Sequence, residues 1–187
     1  MAEDVMIREN PIDGTKPKIH PTAFIAKDVV IIGNVEIGAY ANIWYGAVLR
    51  GDHGVLKVGK NTSVQENSVI HTEPGTSITI GSNIIVGHMA IVHGPGSVAD
   101  YCTVGLGAII LQGANLAEGC ILAGGSVLRG NTEKYTLYAG VPAVKKKFYG
   151  EERIEMAEKA ALDYVKTGQD FKAKGFSQNV PEEFLTK

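Results

Sequence analysis

From Ile19 an aliphatic side chain recurs at every sixth position: Ile19, Ile25, Ile31, Ile37, Ile43 and Leu49. After a slip of three residues the beat resumes at Val58, Val64 and Ile70. Four extra residues follow His71, and the pattern then runs without a break through Ile80, Val86, Val92, Val98, Val104, Ile110, Leu116, Leu122 and Leu128. The position four residues after each aliphatic is nearly always small, as at Ala41, Ser68, Ala90, Cys102, Ala108 and Cys120. Self-similarity at a fixed short period marks a repeat architecture and outranks any local propensity. The repeat region is placed at 19–137, preceded by an extended lead-in over 1–18. The breakers Gly140 and Pro142 end the β pattern. Over 138–187 the spacing predicts a turn, a helix from Glu151 to about Lys166, and a tail after Gly175 that shows no period. In that helix Ile154, Ala157, Ala161, Tyr164 and Val165 share one side.

Composition supports strands. The chain holds 18 Ile and 18 Val against 10 Leu, together with 23 glycines, so β-branched residues dominate the apolar set. Glycine often follows the aliphatic directly, as in Ile37-Gly38, Val58-Gly59 and Val104-Gly105, and is expected to serve turns. The pattern resembles the hexapeptide repeat of left-handed parallel β-helices. That resemblance implies a mainly β fold of about six triangular coils, three hexads to a coil, followed by a C-terminal α-helix. At a strand spacing of ~4.8 Å six coils stand roughly 29 Å tall.

Charge and cysteine content exclude several function classes. A net charge of −2 gives no electrostatic case for nucleic acid or an anionic membrane. No apolar run approaches the roughly 20 residues of a membrane span. The first residues lack a signal-peptide pattern, so a soluble cytoplasmic protein is expected. Cys102 and Cys120 are too few for a disulfide scaffold or a thiolate zinc site. They lie one coil apart at the same small inward position, and two buried, reduced thiols are expected.

The six-residue beat also fixes where the histidines point. His71 follows Ile70 by one and His93 follows Val92 by one, a separation of one 18-residue coil plus the four inserted residues. The two therefore stack on one face and point outward. His88 follows Val86 by two and belongs to the preceding face, turned away from that pair. A closed threefold assembly brings the three together, with His71 and His93 from one chain and His88 from the next. Three neutral imidazoles and an open position describe a catalytic zinc site. Arg50 falls in the same column one coil earlier, with Asp52 two residues on; at the interface they are expected to form an interchain pair. Gln65 and Glu66 sit one coil before Gly87 and His88, placing Gln65 to orient a hydroxide and Glu66 to handle protons. His20 reads as a surface residue.

The set Leu49-Arg50-Gly51-Asp52, Val64-Gln65-Glu66-Asn67, Ile70-His71 and Gly87-His88-x4-His93-Gly94 resembles the γ-class carbonic anhydrases in order and spacing. The resemblance spans the repeats and reaches the segment Ala161-Leu162-Asp163-Tyr164-Val165. It implies reversible hydration of carbon dioxide to bicarbonate by a homotrimer, with zinc (or iron or cobalt) on His71, His93 and the neighbour's His88. Gln65 and Glu66, with Arg50 and Asp52, would serve the site, and Tyr164 would offer it a polar contact. Two departures bear on the proton path. Glu66 stands where the family usually has Asp, and His53 follows the Arg-x-Asp motif where the archaeal prototype has a glutamate. The loop after His71 is only Thr72-Glu73-Pro74-Gly75, which leaves Glu73 and His53 as candidate shuttles. Three rivals share the scaffold: an acyl-CoA-dependent acyltransferase, a metal-dependent thioesterase, and a weak or inactive homologue serving as scaffold or auxiliary protein.

Overall fold

A computed structural model describes residues 6–186. Three ladders of short parallel strands stack the hexads. The first face aligns Ile19, Ile37, Val58, Ile80, Val98 and Leu116. The second aligns Ile25, Ile43, Val64, Val86, Val104 and Leu122, with Tyr138 as a seventh rung. The third aligns Ile31, Leu49, Ile70, Val92, Ile110 and Leu128. Every one of these aliphatic side chains is at most 3% exposed, so a single apolar column fills the stack from end to end. The small residues four positions on, such as Ala41, Ser68, Ala90, Ala108 and Cys120, are buried with them. The three-residue slip is taken up as a register shift where Gly33 and Val35 face Gly51 and Leu56, and register is kept on both sides of the four-residue insertion. The fold is the β-helix that the period implies.

Four features differ from the sequence reading. The glycines that follow the aliphatic are not the turn glycines. The left-handed backbone occurs three residues after the aliphatic, at Gly107, Gly119 and Gly125 but also at Asn61, Asn67, Asn83 and Met89. Gly59 instead answers to stacking: a Cβ there would lie 2.5 Å from the Gly81 carbonyl oxygen of the next coil. The lead-in is partly a rung, since Ile7–Arg8 pairs with Ile31–Ile32 and Ile7 is buried; residues 1–5 of it lie outside the described chain.

The helix, α1, runs from Arg153 to Ala173, seven residues beyond the expected end. Its buried line continues through Gly168, where the missing side chain lets the backbone meet Phe24 and Asn42, to Phe171 in an aromatic cluster with Phe24 and Trp44. The tail is not featureless either. Gln178 N–H donates to Ile25 O, Thr186 N–H donates to Ile19 O, and Phe184 is buried in the core, so the tail closes the first coil. At the other end Thr136–Ala139 turns back antiparallel against Val144–Phe148. Cys102 and Cys120 are free and buried, each thiol donating to a carbonyl, Ala117 O at 3.0 Å and Glu133 O at 2.8 Å. Burial pushes the Cys102 thiol up, which keeps it unreactive.

Candidate metal centre

His71 and His93 are direct partners in adjacent strands of the third face, and Arg50 pairs with His71 one coil below. The two rings meet edge to face with centroids 5.5 Å apart. The column is Arg50, His71, His93, as the register requires. His88 lies on the second face, one coil above Glu66. Among the described residues no three His, Cys, Asp or Glu side chains of one chain gather as a metal site.

The hydrogen bonds of the three rings set their chemistry. Arg50 O lies 2.7 Å from His71 Nδ1, and Gly94 O lies 2.9 Å from His93 Nδ1. The Glu66 carboxylate lies 2.6 Å from His88 Nδ1. Each of these oxygens can only accept, so a neutral ring at each place carries its proton on Nδ1 and leaves Nε2 with a lone pair. Zinc, iron and cobalt all take such nitrogens, and three outward Nε2 atoms fit the donor set. His20 has the opposite arrangement: its Nδ1 accepts the Thr22 N–H at 3.2 Å, which puts the ring proton on Nε2. The sequence assigned His20 to the surface, and its tautomer separates it from the other three.

The remaining candidates are distributed as follows. Gln65 is 4% exposed, and its Oε1 accepts the His88 backbone N–H at 3.2 Å; its amide NH2 is left to donate elsewhere. Arg50 Nη1 donates to Asp52 Oδ2 at 2.6 Å within the same chain. Residues i and i+2 of a strand point to the same side, so the two side chains meet within one chain. Burial works to raise the Asp52 carboxyl, but the hydrogen bond and charge of Arg50 outweigh it and hold the group below the usual carboxylate range. Asp52 Oδ1 is buried without a hydrogen-bond partner. Glu66, expected to handle protons, places its carboxylate against the His88 ring. Tyr164 lies on α1 against Trp44, ring centroids 6.4 Å apart, and Trp44 is one coil below Gln65. His53 and Glu73 come closer than their loop positions suggest. The His53 ring is 6.1 Å from that of His71, and Glu73 Oε1 is 3.8 Å from His93 Nε2.

One set of residues the sequence reading passed over lies beside the histidines. The outward positions just before each aliphatic of the third face are Val30, Val48, Val69, Ile91, Ile109 and Val127. Val69 and Ile91 stand 36% and 39% exposed, and Met89 and Leu106 extend the patch around the corner. The signal was present as a second aliphatic beat one residue ahead of the first. An exposed apolar stripe of this kind marks a contact surface.

A parallel β-solenoid of hexads with an outward histidine column defines the class, and comparison with known proteins defines the family. Residues 16–51 match the model of the bacterial transferase hexapeptide (six repeats). The carbonic anhydrase of Geobacillus kaustophilus is 38% identical over 165 residues, 87% of this chain and 90% of that protein. The mitochondrial gamma carbonic anhydrase 2 of Arabidopsis thaliana is 33% identical over 183 residues, 91% of this chain; the chain spans 65% of the length of that relative. A solved structure of a putative acetyltransferase from Bacillus cereus superposes with a TM-score of 0.81 at 32% identity, covering 86% of this chain and 94% of that one. The chain belongs to the γ-class carbonic anhydrase family.

Proposed function

We propose that this protein hydrates carbon dioxide to bicarbonate, reversibly, at sites shared between the chains of a homotrimer. The observation that carries the reading is the acceptor oxygen on Nδ1 of each of His71, His88 and His93, which leaves Nε2 of the neutral rings as the metal-binding atom. His71 and His93 of one chain and the His88 of a neighbour would hold zinc, with iron or cobalt also compatible with three imidazoles. The bound cation supplies a Lewis acid that makes hydroxide available from water near neutral pH.

The protein's own groups do the rest. Gln65 is fixed by the His88 N–H and keeps its amide donors for the reacting oxygen of the site that His88 serves. Arg50, tied to Asp52, presents its remaining N–H groups to an anionic product. Glu73 is about half exposed and stands where a carboxylate can pass a proton from the site to buffer. The apolar stripe beside the histidines and the unpartnered Asp52 Oδ1 support a second copy on this face. An acyltransferase on this scaffold would need one histidine as base and no metal.

Stopped-flow carbon dioxide hydration on anaerobically purified, metal-analysed protein tests the reading. The expected result is near-stoichiometric metal per chain with turnover, and loss of both in His93→Ala. Protein that holds the metal but shows no hydration in added buffer would leave the scaffold role or the thioesterase. Protein purified without chelator and free of metal would defeat the anhydrase reading.

A further inference from the structure

The three histidines do not receive their orientation from the same kind of group. For His71 and His93 the acceptor is a main-chain carbonyl of the fold, Arg50 O and Gly94 O. For His88 it is a side chain, the Glu66 carboxylate at 2.6 Å. His88 is also the most exposed of the three, 41% against 14% for His71 and 30% for His93, so packing constrains it least. It occupies the corner between two faces, where Met89 adopts a left-handed φ of 58°. Glu66 stands directly beneath this corner, because the Met89 N–H donates to Glu66 O at 2.9 Å and stacks the two coils.

We infer that Glu66 is the positioning residue of the interchain ligand: it fixes the tautomer and ring direction of His88 within one chain, before a neighbour or a metal arrives. The inference rests on the metal reading above and gives Glu66 a task other than proton transfer. A carboxylate on the far nitrogen of a metal-binding imidazole sets its orientation and strengthens it as a ligand, and losing such a partner typically costs 10–100-fold in metal affinity. The longer side chain of glutamate spans from one coil to the next, and its carboxylate meets a ring that no backbone carbonyl engages.

The test compares wild type, Glu66→Ala and Glu66→Gln, with the trimer confirmed by sedimentation for each. In metal-free, histidine-labelled protein, long-range 15N–1H correlations read the tautomer of His88. Wild type is expected to show Nδ1–H, Glu66→Ala a mixture of tautomers, and Glu66→Gln, whose amide oxygen still accepts, a return to Nδ1–H. Zinc affinity, measured by competition with a chromophoric chelator, is expected to fall about 10–100-fold in Glu66→Ala and to recover mostly in Glu66→Gln. An alanine variant with the wild-type tautomer and wild-type affinity overturns the inference. So does an equal loss in both variants accompanied by loss of the trimer, which would make Glu66 a purely structural contact. Wild-type protein that takes up no zinc would sink the metal reading, while the metal-free tautomer would still decide what Glu66 does to His88.

Discussion

The first and third faces of the solenoid are built from the same hexads and bury the same kind of aliphatic residue, yet their outward columns differ. On the first face the residues preceding the aliphatics are Lys18, Glu36, Lys57, Thr79, Ser97 and Asn115. They pair with each other: Glu36 lies 3.7 Å from Lys18 and 3.0 Å from Lys57, and Ser97 Oγ donates to Asn115, which donates to Asn131. On the third face the equivalent positions are Val30, Val48, Val69, Ile91, Ile109 and Val127. The second face lies under α1. The inward beat makes a coil and says nothing of partners. The outward beat separates a polar face from an apolar one, and the histidine column lies on the latter.

The sharpest way to break this comparison is charge. Ile91→Asp on the third face would bury an unpaired carboxylate at a contact, at a cost of several kcal/mol. Its expected outcome is sedimentation at the single-chain mass of 19.9 kDa; Ser97→Asp on the first face is expected to leave the assembly intact. Next comes the close approach of the coils. Gly59→Ala would force a Cβ to 2.5 Å from the Gly81 carbonyl, a backbone clash expected to cost about 1–3 kcal/mol by denaturant unfolding.

A smaller loss is expected for Gly107→Ala, which has open space but a φ of +63°, about 1 kcal/mol. Glu36→Ala removes only half-exposed ion pairs, and its effect is expected within about 1 kcal/mol and to shrink with salt. The smallest effect concerns pH. Hydrogen bonds from Lys134 and Tyr135 hold Glu118 below its ordinary value. Its contribution is therefore present above the unfolded carboxylate value and lost as pH falls through the lower folded one. The melting temperatures of wild type and Glu118→Gln are expected to differ by a degree or so at neutral pH and to converge as pH falls through the lowered carboxyl value.

The period carried the inward aliphatics, and with the three hexads to a coil that the resemblance implies it carried the three ladders and the stacking of His71 on His93, because a strict beat over 18 hexads leaves one register. The features that escaped it are those in which contact is made without a beat. The tail that seals the first coil does so through backbone bonds and one Phe184, and no period announces such a cap. The need for Gly59 is visible only when the next coil's carbonyl is in place. The Glu66–His88 contact was implicit in a spacing of one coil plus the insertion, but its strength depends on which ring nitrogen faces the carboxylate. The Arg50–Asp52 contact within the chain follows from their i, i+2 spacing on one strand.

The closing tail also has a temporal consequence. Thr186 and Ile19, which hydrogen-bond across the first coil, are 167 residues apart in the chain. During synthesis the coils can be laid one upon another as they emerge, each templated by the last. The first rung, however, stays open at its outer side until its seal is made, far downstream. A nascent chain of this protein thus carries an unfinished sheet edge for most of its elongation, the kind of surface on which another strand can add.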